Sequence, residues 1–425
     1  MMDHEEDFLN LFFTQVSQLN FEKAKELAER ERESSKPGHS GPWGMLLTHL
    51  PQIAVAEHSY VDLGFLLPKN KGFLRKDNSL RSMYESSRTD FRRLEDMAKL
   101  ACSDRTIITV ANQLVQFCTA RIELIDFYER MHLMGSGKLM KYEDLLAQID
   151  NIVDKHALSF PHMVLTSIKA ALSLECEILT HLLRSQLEMQ MWRFLQSLMQ
   201  LHGAHTRITA WERTLQNRES WKLGFGATFL KTNQLPALFQ WLLKLKAAFV
   251  SKFSLYFYTT LAQQTQDMKM FTSKLTTDYY HKIQSFQRRN DAVAVLLVFD
   301  AHELEDYAGP GYHHPDKVTE PVHDMECYPI VVSYPVKPLN HMVNIVNVLT
   351  ERAADLAAMD RVVFSFSAKE QSTYVMALCD PRMSLVVIFD SKKTEKDTHI
   401  TNFVFDMSLQ LRCNKVFANL KLSTK

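Results

Sequence analysis

Residues 361–391, "RVVFSFSAKEQSTYVMALCDPRMSLVVIFDS", carry three strand signals in succession. The runs 361–368, 372–380 and 384–391 are rich in β-branched and aromatic residues and are bounded by polar residues or proline. The links between them, Ser367–Gln371 and Asp380-Pro381-Arg382, are short. Connections of that length cannot carry a crossover, so the three strands are expected to be antiparallel neighbours.

Two further strand-like runs precede them: "AVAVLLVFD" (292–300) and "YPIVVSYP" (328–335). Helical spacing occupies about 269–289, 340–358 (Val346, Leu349, Ala353, Leu356) and 397–412 (Ile400, Phe403, Met407, Leu411). The order α-β-β-α-β-β-β-α predicts an α+β domain over 266–425, with a five-stranded, mainly antiparallel sheet and helices against it. Roadblock and longin-type modules, found in assemblies around small GTPases, use the same order, but likeness of fold does not fix function.

Before about residue 265 the periodicity is helical throughout. In "DFLNLFFTQVSQLNFEKAKELAERERES" (7–34), Leu9, Phe12, Val16 and Leu19 fall three or four apart, and "SSKPGHSGP" (34–42) ends the segment. A second segment runs from about Trp43 to Leu67, and Ser79 is placed to cap a third. "SDRTIITVANQLVQFCTARIELIDFYERM" (103–131) opens with the cap pair Ser103-Asp104. Its face, Val110, Leu114, Phe117, Arg121/Ile122, Ile125 and Tyr128, is mostly apolar. "GSGK" (135–138) stops that helix, and a shorter one follows at 142–155. From Pro161 to Leu215 the spacing predicts a single long helix with a bend near Gly203, then a loop over 217–236 and a last helix at 236–264. The whole reads as an α+β two-domain chain: an all-α helical bundle with long helices over 1–265, then the sheet module.

With 425 residues the core can be large, so no disulfide or metal staple is needed. Lys+Arg and Asp+Glu are equal at 49 each, which gives no electrostatic support for a nucleic-acid partner. The six cysteines are widely and irregularly spaced without a CxxC pair, as expected of reduced, mostly buried thiols in a cytosolic protein. "MMDHEEDF" has neither the basic nor the apolar region of a signal peptide. The most apolar window, 238–258, contains Lys244, Lys246 and Lys252, so direct membrane insertion is not expected.

The longest irregular stretch, 301–327, separates the first two strands and contains "GPGYHHPD" (309–316). Loops of this length are commonly functional. Tyr312, His313 and His314 lie there, with His302, Asp306, His323 and Cys327 nearby. A structural zinc site usually shows paired short spacings, which this set lacks. A shaped loop, pinned to the domain or presented to a partner, is the preferred reading; Gly309 and Gly311 permit positive φ. A metal-dependent hydrolase built on 302–327 is the alternative. "MGSGKL" (134–139) fails the phosphate-loop spacing and lacks its hydroxyl residue. His202 and His205 share a helical face without a metalloprotease glutamate, and packing or hydrogen bonding within the bundle is expected of them. No nucleophile elbow or dinucleotide glycine motif is present. Arg75, Lys76 and Arg81, before and within the third helix, form a candidate basic contact.

Several stretches resemble one family, the smallest, helical-bundle subunit of the KICSTOR complex. They include "FEKAKELAERERE" (21–33), "FLRKDNSLRSMYES" (73–86), "ARIELIDFYERM" (120–131), "LHGAHTRI" (201–208), "GYHHP" (311–315) and "VVIFDSKKTEKDTH" (386–399). They occur in the family's order across nearly the whole chain. The resemblance implies a non-enzymatic scaffold without catalytic residues or cofactor, cytosolic and recruited to the lysosomal surface by partners. It implies contacts with a very large scaffold subunit, with two propeller-like subunits and with the Rag-directed GATOR GTPase-activating complex. That assembly lowers TOR-complex signalling under amino-acid or glucose shortage. A homo-oligomer is compatible with this reading. A roadblock-type module that binds a small GTPase directly is a third reading.

Overall fold

The computed structural model describes residues 2–34, 41–66, 79–101, 105–137, 139–220, 235–305, 307–309, 312 and 324–420. The five expected strands pair as one sheet. They are β1 (Ala294–Phe299), β2 (Ile330–Tyr334), β3 (Val363–Ser367), β4 (Ser372–Asp380) and β5 (Met383–Phe389), in the order β2-β1-β5-β4-β3. Every neighbouring pair is antiparallel. Register decides which side chains share a face. Val295 and Leu297 lie opposite Val387 and Leu385 on one face, and Leu296 lies opposite Val386 on the other. Both faces are covered. Helices α12 (Tyr279–Asn290) and α15 (Thr398–Leu411) pack on the first, where Phe286 and Phe403 stack 3.7 Å apart. On the second, Ile345 and Val348 of α13 (Met342–Glu351) and Leu356 of α14 (Ala353–Ala357) join a separate apolar cluster. Burial on both sides is why β1 and β5 read as nearly unbroken apolar runs.

The chain before the sheet folds as α1 (Met2–Ser17), α2 (Phe21–Ser34), α3 (Pro42–Val61), α4 (Leu80–Leu100), α5 (Arg105–Gly135), α6 (Tyr142–His156), α7 (Thr166–Gln190), α8 (Phe194–Ser220), α9 (Ala237–Tyr256), α10 (Tyr258–Gln264) and α11 (Met268–Ser273). Ser79 caps α4 as expected, its Oγ accepting from Ser82 N at 3.2 Å. Ser103 and Asp104 lie outside the described residues.

Several predicted helices are divided. The first segment breaks at Leu19, which takes φ 60° between α1 and α2. The long helix expected over 161–215 breaks at Trp192, not at Gly203. Trp192 has φ 58°, and its buried ring lies 4.6 Å from Phe257 and 5.0 Å from Phe299. Burying that indole turns the chain back, so α8 packs along α7. Gly203 stays helical because its missing side chain makes room: a Cβ there would come within 2.8 Å of the His181 imidazole. The expected helix at 236–264 is interrupted at Phe257, and the one at 269–289 becomes α11 and α12. The expected loop at 217–236 is helical to Ser220; residues 221–234 lie outside the described ones.

No local pattern announces α16 (Asn414–Ala418), which inserts between α5 and α9. Phe417 meets Trp241, Phe249 and Tyr142, and Trp241 Nε1 donates to Val416 O at 2.9 Å. Gly135 ends α5 at this contact, where a Cβ would lie 2.5 Å from the Ala418 nitrogen. One continuous cluster of buried side chains therefore runs from Phe8 to Leu420, through the helices and one face of the sheet.

A second tie joins sheet to helices. Asp380, at the end of β4, sits 2.5 Å from the Lys252 ammonium of α9 and accepts from the Tyr256 hydroxyl at 2.5 Å. Lys252 is 0% exposed. Gln186 and Gln190 of α7 donate to the other Asp380 oxygen at 3.5 and 3.4 Å. Removing one member of a buried ion pair strands its partner's charge and costs about 3–5 kcal/mol. Asp380→Asn is therefore expected to lower unfolding free energy by about that amount in urea titration. A loss under about 1 kcal/mol would show that Lys252 finds other compensation.

Candidate functional site

The long β1–β2 connection leaves the sheet pinned at its start. His302 Nδ1 lies 2.9 Å from Asp300 Oδ1, the ring rests 4.7 Å from Tyr328, and Arg382 donates to His302 O at 2.7 Å. His302 is thereby engaged with its own turn. Tyr307 is buried against Phe299, 5.7 Å away, and burial pushes its phenol pKa well up. Gly309 adopts φ 98°, the left-handed conformation that glycine permits without strain. Tyr312 then places its ring edge-on to Phe194, 6.1 Å away, at the start of α8, and stays 47% exposed. Phe194 in turn packs on Phe253 and Phe257, beside Trp192. The loop thus crosses from the sheet to the α7–α8 corner and shows one tyrosine face to solvent.

His313 and His314, with Asp306 and His323, lie outside the described residues, as do Arg75 and Lys76. Among the described residues no three His, Cys, Asp or Glu side chains are grouped to hold a metal ion. Arg81 projects from α4 and is ion-paired with Asp126 of α5, with Glu85 at 3.9 Å, while staying partly exposed. His202 and His205 are exposed on α8, and His205 makes the expected hydrogen bond within the bundle, to Lys246 of α9. His205 Nδ1 lies 3.4 Å from Lys246 Nζ; partial burial, then the lysine charge, lower its pKa.

The strongest polar constellation is one that motif reasoning missed. Arg121 lies on the buried face of α5, where α3, α4 and α7 converge. Its Nε and Nη2 donate to the two oxygens of Glu57 at 2.9 and 2.7 Å, and Nη1 donates to Glu175 Oε2 at 2.7 Å. Tyr84 donates to Glu57 at 2.6 Å, and Tyr60 and Tyr128 donate to Glu175 at 2.7 and 2.8 Å. The guanidinium also sits 4.2 Å over the Tyr60 ring. Burial works against the Arg121 charge, but Glu57 and Glu175 outweigh it and hold its pKa well above the ordinary value. Burial first, then the carboxylates, drive the three tyrosine pKa values up. The one sequence signal was a lone arginine in an apolar helical stripe.

Two grooves open elsewhere. One of about 570 Å³ lies between α6 and α7, beside His156, Phe160 and Lys169; one of about 460 Å³ lies between α12 and α15, beside Lys282, Arg289 and Phe403. Cys176 lines the first as a neutral thiol, its pKa pushed up by burial, which makes it a poor nucleophile. The five described cysteines, Cys118, Cys176, Cys327, Cys379 and Cys413, are all buried and outside any disulfide. No helix among the described residues is long and apolar enough to cross a membrane.

Fold and site together define a helix-rich α+β protein in which buried ionic contacts lock an antiparallel sheet onto stacked helices. The family model described as "KICSTOR complex C12orf66 like" matches residues 2–425, and the chain belongs to that family. KICSTOR subunit 2 of Xenopus laevis is 36% identical over 432 aligned residues, covering 99% of this chain and 97% of the relative. KICSTOR subunit 2 of Danio rerio is 37% identical over 435, covering 99% and 96%.

Arg121→Ala leaves two carboxylates facing each other without a cation, and a loss of about 3–5 kcal/mol is expected by chemical denaturation. The tyrosine shifts add a pH dependence. With folded values above the ordinary 10.0, the stability held by the neutral phenols is complete below pH 10.0 and is lost as pH rises beyond it. Unfolding free energy is expected to fall from pH 10 upward, and Tyr60→Phe with Tyr128→Phe to flatten that slope. An unchanged slope would remove these phenols as its source.

Proposed function

We propose that this chain is a non-enzymatic scaffold or adaptor subunit of the KICSTOR complex. In this reading it helps to hold the Rag-directed GATOR GTPase-activating complex at the lysosomal surface, and so lowers TOR-complex signalling under amino-acid or glucose shortage. The observation that carries the proposal is similarity to KICSTOR subunit 2 proteins along 99% of the chain. Attachment to the lysosome would come through the large scaffold subunit and the two propeller-like subunits. The likeness of the sheet module to roadblock and longin folds belongs to the same proposal, and its element order supports it.

Tyr312, with its neighbours His313 and His314, is the proposed partner contact on the β1–β2 loop. Its exposed ring face supports that role. Arg75, Lys76 and Arg81 are the proposed basic contact; the ion pair of Arg81 with Asp126 sets how far its side chain can reach.

The test is co-expression of the tagged full chain with the large scaffold subunit and the two propeller-like subunits, followed by size exclusion. Co-elution of all four is expected, and elution of this chain alone overturns the reading. Tyr312→Ala is expected to leave unfolding free energy within about 1 kcal/mol of wild type, since half of the ring is already in water. It should weaken co-elution. Unchanged assembly would take the loop out of the contact.

A further inference from the structure

The groove between α6 and α7, of about 570 Å³, has the size of a small-molecule site. Phe160, Leu172 and Cys176 give it an apolar lining, and all three are buried. Set into that lining is His156, 3% exposed at the end of α6. Its Nε2 lies 2.9 Å from Glu123 Oε2 of α5, and Lys155 pairs with the other carboxylate oxygen. Burial works against the Glu123 charge, but Lys155 and His156 outweigh it and hold its pKa below the ordinary value. A carboxylate only accepts, so the imidazole proton belongs on Nε2, and Nδ1 of the neutral ring is left as an acceptor. Nδ1 is on the side of the ring away from Glu123, and among the described residues it has no hydrogen-bond partner. Buried polar atoms are almost always paired, so an open acceptor in a cavity wall marks a place for a donor.

The charges around the groove narrow the choice of ligand. Asp150 is paired with Arg184 at 3.0 Å, and Glu177 is paired with Arg207. Asp154 and Lys169 also line the groove, and neither makes an ion pair among the described residues. Asp154 is exposed, so water and salt screen it; Lys169 is partly buried and keeps more of its field. We propose that this groove binds a small organic acid. Its carboxylate pairs with Lys169, its apolar body lies on Phe160, Leu172 and Cys176, and one N–H or O–H donates to His156 Nδ1. A cationic ligand fits less well, because the carboxylate left to meet it, Asp154, stands in water. Buried aromatic and aliphatic walls with a few convergent polar groups are the usual make-up of such a site.

The experiment uses the full-length chain and does not depend on the KICSTOR reading. The probe is indole-3-acetate, whose acid, ring and N–H supply all three groups. Titration calorimetry is expected to show saturable binding at one site. Two analogues remove one group each, and both are tested on unaltered protein. The N-methyl analogue lacks the donor and should bind at least about threefold more weakly. Tryptamine carries an ammonium in place of the acid and should bind at least about tenfold more weakly. Lys169→Met, a change at a partly exposed position, should weaken indole-3-acetate at least about tenfold. In protein labelled at histidine nitrogen, the His156 Nδ1 resonance is expected to move with saturation, as it does when a lone pair accepts a hydrogen bond. Absence of saturable binding overturns the proposal. So do tryptamine or the N-methyl analogue binding as well as the probe, a Lys169→Met variant that binds like wild type, or a His156 Nδ1 signal that stays in place at saturation.

Discussion

Arg121 is the constraint on which the helical part depends. A guanidinium taken out of water needs its donors met and its charge balanced, and here three donor nitrogens and two carboxylates do both. Glu57 takes the Nε–Nη2 edge with both oxygens, and Glu175 takes Nη1 with one. The three tyrosines then supply the donors that the carboxylates still lack. Hydrophobic packing alone would allow α3, α4, α5 and α7 to slide against one another by a turn. A network in which a slip leaves two anions bare in the core does not, so it fixes axial register as well as contact.

Lys252 and Asp380 apply the same logic between helices and sheet. The cation lies within α9 and the anion at a strand end, so the pair forms only when the sheet is seated. Around it, Tyr256, Gln186 and Gln190 orient the carboxylate, and α16 fills the apolar side of the joint. Two ionic locks and one continuous apolar cluster make the helices and the sheet mechanically one piece. Rigidity of this kind suits a subunit that presents surfaces at fixed separations, because its partners need not wait for the chain to order itself.

The strands and their number were legible because each is a short β-branched or aromatic run bounded by polar residues or proline, and the antiparallel pairing of the last three because tight links join them. The long helices were legible from their apolar stripes. Their interruptions were not. Leu19, Trp192 and Phe257 are apolar residues that fit a helical stripe, and at Trp192 and Phe257 it is the tertiary position of a large ring that accompanies the turn. Gly203 misled for the converse reason: its missing side chain serves a crossing helix rather than a bend. Arg121 and Lys252 were visible as charges in apolar windows, but their partners lie 54 to 128 positions away, beyond the reach of any local pattern. The bend at Gly309 could be read from the residue itself.

The position of α16 bears on how this chain is made. Residues 414–420 fill the space between α5 and α9, whose own residues precede them by more than a hundred positions. During synthesis the helices leave the ribosome with Trp241 and Phe249 uncovered, and that surface closes only after residues 414–420 have followed. Until then the nascent helical part carries exposed aromatic surface of the kind chaperones hold. A premature stop before codon 414 would therefore leave Trp241 and Phe249 uncovered in a chain that quality control treats as unfinished.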